Sequence, residues 1–321
     1  MQLNSKTEHH ISKKGHSFWR KLLSQWDIQL MVFPAILFVI VFSYIPMWGV
    51  LIAFKDYNMF EGFLASPWVG FKHFSMFFNS TDFWTVMRNT IIISFLKLFI
   101  GFPAPIILAL MLNEIRNMVF KRVLQTISYL PHFLSMVIVS GMVFSMLSVD
   151  NGSLNILLLG FNWVEEPINW LSIPEYFWAI LVSTSVWKEI GFGAIVYLAA
   201  IAGIDPHLYE AASLDGASHF KQVYLITIPG MAPVISIFLI LAVGGILNAG
   251  FEDILLLTNN GTNGILKDVS NVIDTYVYHV GVLNQRYSYA TAAGMFKAIV
   301  SISMLLLANF IAKKAGRESL W

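Results

Sequence analysis

The chain has 321 residues, 57% hydrophobic and only 12% charged, against about 25% charged in an ordinary soluble domain, so its composition is that of an integral membrane protein. With 20 basic and 19 acidic residues, the formal net charge of +1 gives no overall field that would recruit nucleic acid or another polyanion. Cysteine is absent, which excludes disulfides, thiolate zinc sites, iron–sulfur clusters and cysteine nucleophiles together.

Residues 1–29 read as a polar tail. Lys13, Lys14, Arg20 and Lys21 precede a long apolar run that has no small-residue cleavage site, so a removed signal peptide is not expected. Within the tail, "SFWRKLLSQWDIQL" at 17–30 has apolar and basic faces and predicts an amphipathic anchor lying along the inner interface. His9, His10 and His16 form a loose cluster that suits weak metal binding or an unstructured terminus.

A membrane helix needs about 20 mostly apolar residues to cross roughly 30 Å of hydrocarbon. Six segments qualify: 30–54, 86–112, 123–147, 176–201, 223–247 and 289–312, giving a membrane domain over 30–312 and a short C-terminal tail over 313–321. Lysine and arginine collect on one side, at the N-terminal tail, Arg116, Lys121, Arg122, Lys221, Lys313, Lys314 and Arg317. The other side holds only Lys55, Lys72, Arg88, Lys267 and Arg286, together with most of the acidic residues. The positive-inside rule therefore predicts cytoplasmic termini, with 113–122 and 202–222 inside and three longer loops outside. The aromatics Trp68, Phe71, Phe74, Trp163, Trp170 and Tyr278 of those outer loops fit either an interfacial belt or a docking platform for an external partner.

The inside loop at 202–222 is more structured than a connector requires. Asp205-Pro206 is a helix start, because aspartate caps free amides and proline suits the first helical position. The helix then runs from Pro206 to Leu214, and Asp215-Gly216 stops it, since glycine takes the left-handed conformation at a helix C-terminus without steric cost. A second helix follows from Ser218 towards Pro229, making a helix, a tight turn and a helix. Ala211, Ala212 and Ala217 keep the first helix slim enough for another protein's groove, and Glu210 and Asp215 offer carboxylates to it. The same residues also suit a helix lying on the membrane with its charges solvated.

The spacing of this loop is specific. "EAA" at 210–212, three residues, Gly216, nine residues and then Ile226, Thr227, Ile228 and Pro229 resembles the cytoplasmic signature loop of permease subunits in binding-protein-dependent ABC importers, with Ile228 where that family more often has leucine. "IPMWGVLIAFKDYN" at 45–58, "SPWVGFKHF" at 66–74, "VWKEIGF" at 186–192, "NAGFEDILLL" at 248–257, "VIDTYVY" at 272–278, "YSYATAAGMFKAIV" at 287–300 and the terminal "ESLW" are similar, in order, to the branch that imports oligosaccharides and polysaccharides, including lipoprotein-type and alginate-type importers.

The resemblance implies an all-α polytopic permease of the type I importer fold, with about six spans, in a bacterial cell membrane. By the same resemblance, Glu210, Ala211, Ala212, Asp215 and Gly216 form a coupling helix seated in a cytoplasmic ATPase, and Pro229 marks where the loop rejoins the fifth span. It implies as partners a second, similar permease, two ATPase subunits and an extracytoplasmic solute-binding protein. The chain itself would be non-catalytic. ATP and Mg would belong to the ATPase, in keeping with the absence of a phosphate-cradling GxxxxGK[ST] loop here.

Ionisable residues within the bilayer are costly and normally face a cavity or a partner; here they are Lys97, Lys188, Glu189 and Lys297. Lys188 and Glu189 are adjacent and point about 100° apart on a helix, so they are not expected to pair face to face. Glu189 is expected to meet Lys297 or a residue of a partner subunit. Trp187, Lys188, Glu189, Phe192, Tyr197, Asn248, Phe251, Glu252 and Lys297 are the candidate lining of a translocation path, because sugar rings stack on aromatics and bond to amides and carboxylates. The same types suit helix packing, and Gly191, Gly193, Gly244 and Gly245 read as close-contact positions. His132 and His279 are isolated and read as satisfied histidines rather than ligands, and Glu165 and Glu166 have no acid/base partner. An ion-coupled secondary transporter with Glu189 and Lys297 as its relay is the alternative; broken-helix inverted repeats would accompany it, and the sequence shows none. A membrane sensor or enzyme lacks a signalling domain and a catalytic set.

Overall fold

The computed structural model describes residues 25–261 and 263–321. The histidine cluster and most of the amphipathic 17–30 stretch lie outside the described residues. Among the described residues every regular element is helical, and β pairing is confined to an isolated bridge between Lys55 and Trp68.

In chain order the principal helices are α1 (Trp26–Phe54), α2 (Lys72–Phe78), α3 (Asp82–Asn113), α4 (Met118–Phe133), α5 (Met136–Leu147), α6 (Ser153–Gly160), α7 (Pro174–Ala202), α8 (Pro206–Leu214), α9 (His219–Gly244), α10 (Phe251–Leu257), α11 (Ile273–Tyr278) and α12 (Tyr287–Lys314). By length and composition α1, α3, α7, α9 and α12 are each able to cross a membrane. The chain divides into two compact units, 1–51 and 52–321. The described part of the first belongs to α1 and buries no side chain there.

The third predicted span, 123–147, is not a continuous helix. α4 and α5 meet at a bend of 103°. The cause lies in "YLPHFLS": Pro131 has no amide to donate, a single 3₁₀ turn covers Leu130–Phe133, and Leu134 and Ser135 are extended. Ser135 then opens a fresh helix, its side chain accepting from the Ile138 amide. α4 is also less uniformly apolar than its neighbours, with Lys121, Arg122, Gln125 and Ser128 set against Val119, Phe120, Val123 and Ile127.

α7 is the axis of the larger unit. Near one end Phe177 and Leu181 pack with Ile93 of α3, Met136 and Val139 of α5 and Leu257 of α10. Near its other end Ala194, Tyr197 and Ile201 pack with Ala109 of α3 and Met231 of α9. A third cluster joins Phe77 of α2, Val86 of α3, Ile273 and Tyr276 of α11 and Tyr289 of α12. Close helix approach depends on glycine at three of the four expected positions. A Cβ on Gly191 would lie 1.9 Å from the Ser128 carbonyl oxygen, one on Gly193 3.0 Å from Pro105, and one on Gly244 2.6 Å from Leu305. At Gly245 the nearest atom is 3.4 Å away, an ordinary contact.

Candidate functional site: the coupling helix and the mid-span polar face

The helix–turn–helix forms as its turn chemistry requires. Asp205 Oδ1 accepts from the His207 amide at 3.0 Å, Gly216 has φ +74°, and the Ala217 amide donates to Ala212 O at 2.9 Å, closing the C-terminal turn of α8. Tyr209 and Thr227 share a hydroxyl–hydroxyl bond of 3.0 Å, and Gln222 Nε2 donates to Ser213 Oγ at 2.9 Å. α8 is therefore tied to α9 by its own side chains.

Its outer surface is open. Glu210, Ala211, Asp215 and Gly216 are exposed and Ala212 is half-buried, while among the described residues Glu210 pairs with His207, at 3.2 Å. Leu214 and Phe220, which flank the turn, are 91% and 80% exposed. Sequence reasoning passed over both; the signal was an apolar residue on each side of a polar Asp-Gly turn. Pro229 lies where the loop helix and the fifth span run together. α9 begins at His219 and passes through Pro229 without interruption, a π-helical turn over Val223–Thr227 preceding the proline.

The mid-span charges also pair differently from expectation. Lys297 bonds Asp274, not Glu189. Glu189 accepts from His132 Nδ1 at 2.8 Å and from Lys188 Nζ at 3.1 Å, so the adjacent pair does close, through long side chains that curl back past their backbone directions. The relay proposed between Glu189 and Lys297 is not formed. Lys188 Nζ also reaches His132 O at 3.2 Å, a carbonyl released by the break between α4 and α5. The His132 ring stacks on Phe192, with centroids 3.9 Å apart and planes 4° from parallel. Lys97 Nζ bonds Asp253 Oδ2 at 2.8 Å, and Ser185 Oγ donates to the same oxygen at 2.6 Å. Burial alone would raise the Asp253 carboxyl, but the Lys97 charge and the bonds from Lys97 and Ser185 outweigh it and hold the group below its ordinary value.

Ser185, Lys188, Glu189 and Phe192 are spaced i, i+3, i+4 and i+7 and form one face of α7. The remaining candidates divide. Trp187 points away from that face and lines a cavity of about 630 Å³ with Met142, Met146, Trp170 and Tyr176. Tyr197 is buried, with its ring against Phe238, and Phe251 packs edge-on to Tyr278. Asn248 and Glu252 are exposed. Sequence reasoning missed His132 as a partner of Glu189, and missed Ser185 and Asp253 altogether. The helical spacing of 185, 188, 189 and 192 was readable, but the contribution of α4 depends on a bend that hydropathy does not register.

Comparison with known proteins agrees with this architecture. The family described as "Binding-protein-dependent transport system inner membrane component" matches residues 101–317. Protein LplB of Bacillus subtilis (strain 168) is 44% identical over 96% of this chain and 95% of its own length. The polygalacturonan/rhamnogalacturonan transport system permease protein YteP of the same organism is 44% identical over 94% and 92%. Among solved structures, a chain of a bacterial ABC transporter involved in the import of the acidic polysaccharide alginate superposes with a TM-score of 0.85 at 40% identity, covering 92% of this chain and 98% of that one. With an all-helical core and the loop spacing already in place, the chain belongs to the family of binding-protein-dependent inner-membrane transport components and is a permease subunit of an ABC importer.

Proposed function

We propose that this permease pairs with a second, similar permease to form the path of an oligosaccharide or polysaccharide handed over by an extracytoplasmic solute-binding protein, and that two cytoplasmic ATPases drive it through α8. The observation that carries the reading is a coupling helix whose shape is fixed internally while Leu214 and Phe220, beside its turn, are left bare. Apolar residues held rigidly in the open mark an interface. Both termini and α8 then face the cytoplasm, which the lysine and arginine distribution supports through the positive-inside rule.

Glu210, Ala211, Ala212, Asp215 and Gly216 dock against the ATPase, which holds the ATP and Mg; this chain binds neither. The Lys188, Glu189 and Phe192 face of α7 contacts the passing sugar: a carboxylate accepts from hydroxyls, the ammonium donates to them, and the ring offers a stacking plane. Acidic glycans named for two of the similar proteins support a saccharide cargo.

The test is reconstitution in proteoliposomes with the partner subunits and the binding protein. Glu210→Lys should abolish saccharide-stimulated ATP hydrolysis while the permease remains inserted. Unchanged stimulation in that variant would overturn the coupling assignment, and uptake that persists without ATPase subunits would overturn the reading as a whole.

A further inference from the structure

At the Asp82 end of α3, the first residue of that helix, the end of α10 and the 267–284 segment line a cavity of about 360 Å³, inside the range of about 300–1,000 Å³ typical of small-molecule sites. Asp82, Lys267, Ser270, His279 and Asn284 all contribute polar side chains to its wall. None of the five makes a side-chain hydrogen bond or ion pair with another described residue. In the mid-span, by contrast, Lys97, Lys188, Glu189 and Lys297 are all paired. Ser270 is buried and His279 half-buried, while Asp82, Lys267 and Asn284 are exposed around them, so one concavity carries donors and acceptors that a ligand can take over from water.

The walls are built to hold this arrangement. Asn89 Nδ2 donates to Asp268 O at 2.9 Å and Asn271 O at 3.1 Å, and Thr90 Oγ1 accepts from the Ile273 amide at 3.0 Å, which fixes the 268–273 segment to α3. His279 opens a π-helical turn over His279–Leu283, closed by the Asn284 amide on His279 O at 2.9 Å. The next residue, Gln285, is held at φ +57°, a conformation that costs a non-glycine residue free energy. At Gly261 (φ +75°) the backbone comes so near the His279 ring that a Cβ would lie 2.5 Å from Nε2. Burial, with the Lys267 charge, lowers the proton affinity of that imidazole.

The chemistry selects the ligand class. A bare anion would meet the Asp82 carboxylate and a bare cation the Lys267 ammonium. Hydroxyl groups both donate and accept, so a ring carrying several of them satisfies a carboxylate, an ammonium, an amide, a hydroxyl and a neutral imidazole at once. We infer that this cavity is a saccharide subsite for a single sugar ring, formed by residues other than the mid-span face and placed where an arriving chain end is first received. The inference rests on the saccharide cargo proposed above.

The assay is equilibrium binding of a uronate pentasaccharide and of a neutral glucan of equal length to the assembled importer in nanodiscs, without the binding protein, together with binding-protein-dependent uptake in proteoliposomes. Asp82→Ala and Asn284→Ala, both at exposed positions, should each weaken binding of the preferred probe about five- to tenfold. The KM for uptake should rise in parallel, with kcat and substrate-free ATP hydrolysis unchanged. Lys267→Ala should weaken the uronate probe more than the neutral one. Binding within twofold of native in all three variants, with uptake intact, overturns the subsite and leaves the cargo reading standing. Loss of affinity for the binding protein alone shows that the cavity holds that protein's side chain, which also overturns it. If the unmodified importer neither binds nor transports either saccharide, the cargo reading fails along with the subsite.

Discussion

Replacing Leu214 by alanine tests whether α8 is held by apolar burial or by its carboxylates. Leu214 is 91% exposed, so nearly all of its side-chain area is available to a partner. Fully burying a leucine is worth about 1.5–3 kcal/mol, at roughly 0.8 kcal/mol per buried methylene. Truncation to alanine should therefore remove about 2 kcal/mol from the association, or roughly 30-fold in Kd at tenfold per 1.4 kcal/mol. Phe220→Ala, at a residue 80% exposed, should cost at least as much, because aromatic side chains offer more area. Leu306→Ala, on the apolar span α12 and 51% exposed, serves as the control and should leave association unchanged. The readout is ATPase subunit binding to the permease pair in nanodiscs, followed by biolayer interferometry. If both coupling-loop variants bind within threefold of native, the contact is made elsewhere on α8 and the apolar argument is wrong.

The Lys97–Asp253 pair has side chains 21% and 23% exposed, so Asp253→Asn should destabilise the fold by about 3–5 kcal/mol by leaving the ammonium uncompensated. Lys97→Met combined with Asp253→Leu should recover most of that loss in detergent thermal melts. Because the folded Asp253 carboxyl lies below its ordinary value, its contribution is present above about pH 4 and lost as pH falls further; melting points from pH 7 to pH 3 should fall more steeply for native protein than for the double variant. Gly191→Ala places a Cβ 1.9 Å from a backbone oxygen that cannot rotate away, so it should cost at least about 1–3 kcal/mol. An unchanged melting point there would refute the close crossing of α4 and α7.

The membrane class, five of the six spans and the helix–turn–helix at 205–222 were legible because each rests on a local rule. Apolar runs of sufficient length, Asp205 as a cap and Gly216 as a left-handed stop act within a few residues of themselves. What remained hidden depended on tertiary placement. Pro131 was visible, but the 103° turn also needs Leu134 and Ser135 to leave the helical region. Other prolines, such as Pro233, sit inside continuous helices, so proline alone does not reveal a break. Pairing failed for a similar reason. Glu189 and Lys297 have the right charges and depth, yet Asp274 of α11 takes the lysine, and which short helix folds back onto which span is not written in local spacing.

The break also suggests how a push on α8 reaches the sugar path. α7 is unbroken from Pro174 to Ala202 and joins the Asp205 cap of α8 through only Gly203 and Ile204. From Lys188 to Ala202 is about 21 Å of straight helix at 1.5 Å per residue, and α8 is pinned to α9 through Tyr209 and Thr227. His219 at the start of α9 bonds Glu114 just beyond α3 at 3.2 Å, so movement of α8 would be shared by three spans. α4 contacts α7 backbone to backbone at Gly191, whereas α5 is anchored beyond the bend with Ile93, Phe177 and Leu181. Extended residues between two differently anchored helices make a hinge: α4 should follow α7 while α5 stays with the other end, opening or closing the His132–Glu189 contact. The chain has no cysteine, so paired spin labels introduced into it meet no background from its own residues. Labels at Tyr129 and Met146 should change separation when the ATPases are trapped with a non-hydrolysable nucleotide, while labels at Ser183 and Ile195, both on α7, should not. An unchanged distance across the break, with the ATPases demonstrably closed, would show that α4 and α5 move as one body and remove the hinge from the mechanism.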